Sequence, residues 1–108
     1  DKGLSVGEWS QAIIGQSVFK NNYIALEVKD QSVVTANELI IENSQYKAIN
    51  LYLKNKRYSK GGVLSAHKIA ISGNKKVTVD KASVLKKLSE VRVTELNDTA
   101  WFKALPNE

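Results

Sequence analysis

Between residues 23 and 29 apolar and polar positions alternate: Ile24, Leu26 and Val28 fall on one side, Ala25, Glu27 and Lys29 on the other. A period of two is the signature of a half-buried strand. Asp30-Gln31 then supplies a turn into a second strand over about 32–41, which predicts a hairpin. Three other stretches follow the helical period. Ser5-Val6-Gly7-Glu8 has the spacing of a capping box, and Val6, Trp9 and Ile13 share a helical face, so a short helix is expected to end near Gly15. Asn43 or Ser44 reads as the N-cap of a second helix over 44–58. That helix puts Ala48, Ile49, Tyr52 and Leu53 on one face and Lys47, Asn50, Lys54 and Arg57 on the other. A strand competes here, because Ile49, Leu51 and Leu53 also alternate; helix is preferred because it sorts apolar and basic residues at once.

Ser59-Lys60-Gly61-Gly62 is expected to end that element as a flexible basic loop. Short alternating strands over 68–72 and 76–79 flank Gly73-Asn74, a two-residue hairpin signal. Asp80 caps a third predicted helix with Val84, Leu85, Leu88 and Val91 as its buried stripe, and a last strand is expected near 92–96. No internal repeat, low-complexity tract or linker is apparent. The expected fold class is therefore α+β: one domain over 1–108, an antiparallel or mixed sheet with about three helices against it, in the order α-β-β-α-β-β-α-β.

Length and composition bound the chemistry. A chain of 108 residues without cysteine can bury a modest core, and excludes a disulfide scaffold, cysteine nucleophiles and cysteine-ligated metals. No apolar run approaches the roughly 18 residues of a membrane-spanning helix, so membrane insertion is not expected. The chain starts at Asp1 and contains no methionine, which suggests a processed mature protein or a terminal domain of a longer one. On that ground a secreted or delivered effector is favoured over a resident cytoplasmic protein.

Charge changes the picture most. Residues 1–42 carry three basic and six acidic side chains, 43–88 carry eleven basic ones against Asp80 alone, and 89–108 carry two against four. The 37 residues between Glu42 and Asp80 contain no carboxylate. Crowding like charge costs folding energy through self-repulsion, and a polyanion such as RNA is the usual partner that offsets it. The side chains expected to grip phosphate are Lys47, Lys54, Lys56, Arg57, Lys60, Lys75 and Lys76, with Trp101 stacking a base.

The lone histidine, His67, lies in Ser65-Ala66-His67-Lys68 within this basic third. A neutral imidazole can take the proton of a ribose 2′-hydroxyl, and a lysine can stabilise the pentacoordinate phosphate that follows. The set His67, Lys68, Ser65 and Thr99, with Trp101, loosely resembles the nuclease domains of bacterial toxins and colicins. That resemblance implies a metal-independent ribonuclease, and an acidic immunity or inhibitor protein covering the same surface. Glu27-Val28-Lys29 resembles the metal-binding limb of restriction-enzyme-type nucleases, in which Glu holds Mg²⁺ and Lys positions water. That chemistry needs a further acid from an earlier strand, which the sequence does not supply, so no metal site is assigned. No glycine-rich phosphate loop or zinc ligand set is present, and no cofactor is expected. The competing reading is a non-enzymatic interaction or adaptor module that turns its basic face to an acidic partner.

Overall fold

The computed structural model describes residues 2–87 and 92–93. Among them every regular element is a strand: β1 (Lys2–Val6), β2 (Gln11–Lys20), β3 (Ile24–Lys29), β4 (Val33–Glu42), β5 (Lys47–Tyr52), β6 (Val63–Ser72), β7 (Val77–Val79), β8 (Val84–Lys87) and β9 (Arg92–Val93). They form two wholly parallel sheets, β1-β3-β5-β7 and β2-β4-β6-β8, with β9 also pairing with β6. The chain alternates between the sheets, so each pair of consecutive strands makes one coil and each strand stacks on its counterpart in the next coil. This is a β-solenoid.

The stacking exposes a repeat that the sequence reading missed. Lys2 pairs with Ile24 and Gln11 with Val33, each 22 positions on. Inward columns run up the stack: Leu4, Leu26, Ile49 and Val77 in one sheet, and Phe19, Ile41 and Ile71 in the other. Leu26, Leu39, Ile41, Ile49, Leu51, Leu64 and Ile71 are fully buried. Strands buried between two neighbours and facing a dry interior suit these aliphatic and β-branched residues.

The expected α+β class is thus overturned, and each error has a physical source. The stretch with capping-box spacing is β1 and the corner after it, where Ser5 Oγ donates to Glu27 Oε1 at 3.5 Å instead of capping a helix. Residues 47–52 form β5, with Ile49 and Leu51 inward, so the alternation was the true signal and the basic stripe on one helix face does not exist. Asp80 does cap a turn: its carboxylate accepts from Ala82 N and Ser83 Oγ, but Val84 and Leu85 continue into β8. Leu88, Val91 and residues 94–96 lie outside the described residues.

Turns do occur at Asp30-Gln31 and Gly73, but neither closes the expected hairpin. Asp30 and Gln31 have positive φ (54° and 62°), as has Gly73 (78°), yet each turn carries the chain to the other sheet and makes no hairpin. Asn43, expected as an N-cap, is a corner residue of the same kind. Asn21, Asn43 and Gly73 each follow directly on a strand of the second sheet with φ of 58°, 54° and 78°. Asn21 N donates to Glu42 O and Asn43 N to Ser72 O, both at 3.0 Å, so the corners themselves stack. Asparagine and glycine are the residues that occupy this left-handed conformation at least cost.

One connection departs from the plan. The corners between strands take three or four residues, except 53–62 between β5 and β6. This insertion carries Lys54, Lys56, Arg57 and Lys60. It ends at Gly61-Gly62, both buried. A side chain at Gly62 would overlap the carbonyl oxygen of Val28. Close backbone approach between coils explains the glycine there.

Candidate functional site

In solenoids an insertion in one coil forms a loop on one face, and such loops are often where ligands bind. Here the long loop is held by two acids, one buried and one half-buried. Asp30, 2% exposed, accepts from Lys54 N at 2.8 Å and Asn55 N at 2.9 Å through Oδ1. Asp80 Oδ2 accepts from Leu53 N at 2.8 Å. At the far end Gln31 Oε1 accepts from Ser59 N and Ser59 Oγ. Burial pushes the Asp80 carboxyl up, but the hydrogen bonds from Leu53, Ser83 and Ala82, with the charge of Lys81, outweigh it and hold the group below its ordinary value. Both aspartates are therefore spent on backbone donors and fix the loop's position.

Between this loop and the next coil lies a cleft of about 420 Å³ lined by Ser59, Lys60, Val63, Lys81, Ala82, Ser83, Val84 and Lys86. Among the described residues that line it, three are lysines and none carries a carboxylate. Its hydroxyls are those of Ser59 and Ser83; Ser83 Oγ accepts from Gly62 N at 3.0 Å and donates to Asp80 at 2.7 Å. Ser65 stands opposite Lys86 in the strand register, so the outer face of β6 adjoins the cleft. A site of this composition favours an anionic group, because lysines donate charge-assisted hydrogen bonds to it.

The predicted grip residues do not form one patch. Lys54, Lys56, Arg57 and Lys60 lie in the inserted loop, with the Arg57 guanidinium 5.4 Å from the Tyr58 ring. Lys54 and Lys56 border a second cleft of about 330 Å³ that also contains Glu8, Lys29 and Asp30, so its charge is mixed. Lys47 begins β5, and Lys75 and Lys76 lie in the corner before β7, at the strand ends opposite the inserted loop. There Lys47 and Lys76 Nζ sit 5.0 and 4.9 Å from the Tyr46 ring, which packs on Tyr23 at 5.2 Å. Tyr46 is thus flanked by Tyr23 and two ammonium groups while remaining exposed at the surface.

The predicted catalytic residues Ser65, His67 and Lys68 all lie on β6. His67 and Lys68 are both exposed and adjacent, at a point where two consecutive residues face out, and Lys68 stands in register with Glu38. Neither lines a described cleft. Thr99 and Trp101 lie outside the described residues. Glu27 and Lys29 do share the outer face of β3, but Glu27 is buried and engaged: Lys2 Nζ is 2.6 Å away, Lys29 Nζ 3.6 Å, and Asn50 Nδ2 donates at 3.2 Å. No group of three or more potential ligands among histidine and the acids clusters in the described residues.

Lys81, Lys86 and Ser59 were missed as site residues. Their signal was present in the sequence as part of the acid-free block and its continuation, but only the stacking of one coil on the next brings them to Lys60. No known protein family, curated protein or solved structure matches the chain.

Proposed function

We propose that this solenoid is a non-enzymatic binding module that holds an anionic polymer by its phosphate, sulfate or carboxylate groups. The observation that carries this reading is a cleft whose described lining holds Lys60 and Lys81 beside Ser59 and Ser83, with Lys86 at its edge and no carboxylate among the described lining residues. A fixed loop supports binding of a chain that passes over it, and Lys54, Lys56 and Arg57 in the same loop extend the positive surface. The ribonuclease reading has less support, because its histidine and lysine sit on an open strand surface, where little would exclude water or orient a ribose.

The test is a titration of single-stranded RNA and of a sulfated polysaccharide into wild-type protein and Lys60→Ala/Lys81→Ala across a salt series. Binding through these ammonium groups predicts a negative slope of log K on log salt for single-stranded RNA, made shallower by about 0.7 for each lysine removed. Binding that ignores salt, or that the double variant leaves unchanged, refutes the reading. RNA degraded by catalytic amounts of protein would favour the enzyme instead.

A further inference from the structure

Tyr46 is held between two neighbouring coils. Its backbone N donates to Tyr23 O of the coil before at 2.8 Å, and its carbonyl accepts from Asn74 Nδ2 of the coil after at 2.9 Å. The Tyr23 and Tyr46 rings meet at 5.2 Å with 31° between their planes, yet Tyr23 is 47% and Tyr46 41% exposed. With a coil on each side of it, Tyr46 owes its exposure to the flank of the stack and not to either end. A phenol at such a boundary offers an apolar ring and a polar hydroxyl to one ligand.

Two ammonium groups gather round this ring: Lys47 Nζ lies 5.0 Å and Lys76 Nζ 4.9 Å from its centroid. The ring attracts each of them, but they repel one another. Among the described residues no carboxylate lies within ion-pairing distance of either. Lys47 reaches Asn50 Oδ1 at 3.4 Å, and Asn50 Nδ2 donates to Glu27, whose carboxylate is already shared by Lys2 and Lys29. Residues 43–47 and 73–76 include no acid. An anion is the complement this corner lacks.

The surroundings of the pair narrow the ligand. Rings in contact at 5.2 Å leave no gap for a base to stack between them. An extended peptide needs free backbone, and here Gln45 N, Tyr46 N and Ala48 N donate to Asn22 O, Tyr23 O and Lys76 O. A pyranose needs neither. Its C–H groups can lie against exposed ring surface, its hydroxyls meet the phenols and the exposed Gln45 amide, and a carboxylate or sulfate on it meets the ammonium groups. Tyr23, Tyr46 and Lys76 come from three successive coils, so at about 4.8 Å per coil the strip spans about 10 Å, the length of a disaccharide.

We propose that the Tyr23–Tyr46 pair with Lys47 and Lys76 is a subsite for acidic sugar units, and that the anionic polymer held by this protein is an acidic polysaccharide. The proposal rests on the polyanion reading for the charge of its ligand. It adds a contact separate from the lysine cleft, since this corner precedes β5 and the inserted loop follows it.

The experiment follows backbone amide shifts of the full chain by NMR during separate titrations with a sulfated, a polyuronate and a neutral tetrasaccharide and with a short single-stranded RNA. An acidic sugar is expected to move the amides of Tyr23, Tyr46, Lys47 and Lys76, and the tighter of the two tells sulfate from carboxylate. Lys76→Gln, at an exposed position where the fold is not at stake, should weaken that binding by about fivefold. Tyr46→Leu, which keeps apolar bulk and removes the aromatic face, should weaken it by about threefold or more. Lys60→Ala/Lys81→Ala should leave the shifts at the corner unchanged. Acidic sugars that move only amides lining the cleft, equal corner shifts with the neutral sugar, or undiminished binding by Lys76→Gln overturn the proposal and leave the polyanion reading standing. RNA that moves the corner amides more than either acidic sugar does the same. Absence of salt-dependent binding to every polyanion overturns both.

Discussion

Lys2 and Glu27 tie the first coil to the second: the ammonium nitrogen lies 2.6 Å from a carboxylate oxygen of a side chain only 3% exposed. Ser5, Lys29 and Asn50 complete the surroundings of that carboxylate. Burial pushes the Glu27 carboxyl up, but hydrogen bonds from Lys2 and Asn50, and the charges of Lys2 and Lys29, outweigh it and hold the group below its ordinary 4.5.

Stability should therefore depend on this acid. A carboxyl depressed in the folded state contributes stability that is fully present above its unfolded value and is lost as pH falls through the folded one. The thermal midpoint should fall as pH drops below about 4.5, and Glu27→Gln should flatten that fall. At neutral pH Glu27→Gln should cost about 1 kcal/mol, discounted because Lys2 is 40% exposed. A pH profile identical in the two proteins would contradict this.

Gly62 bears on the contact between coils. Its absent side chain leaves room for the Val28 carbonyl, so Gly62→Ala must push β3 and the corner apart. The expected loss is about 1–3 kcal/mol by chemical denaturation. Gly15→Ala, at a position with open space, should change stability by less than about 0.5 kcal/mol.

Asp30 positions the inserted loop. Asp30→Ala deprives Lys54 N and Asn55 N of their acceptor, and should speed tryptic cleavage at Lys54, Lys56 and Arg57 several-fold while cleavage at Lys20 changes little. Equal acceleration at both places would mean global destabilisation instead.

His67 offers a direct check on catalysis. Wild type and His67→Ala should both leave RNA intact, with and without EDTA, and should bind the single-stranded probe equally, because His67 lines neither described cleft. Cleavage by wild type that is lost in the variant would restore the acid–base role.

Strands over 23–29 and about 32–41, turns at Asp30-Gln31 and Gly73, and the concentration of lysine between Glu42 and Asp80 were all legible in the sequence, and the strands observed at 24–29 and 33–42 lie within a residue of that reading. These are local properties: a period of two, a residue able to take positive φ, and a count of charges. Which strands pair is a property of the folded chain alone. In a solenoid each strand bonds to one a coil away, and no dipeptide records whether a turn folds a strand back on its neighbour or carries it to another sheet. The helix-like spacing of Val6, Trp9 and Ile13 arose because the chain rounds a corner between them. The lysine cleft was hidden for the same reason, since Lys60 meets Lys81 and Lys86 only once one coil is laid on the next.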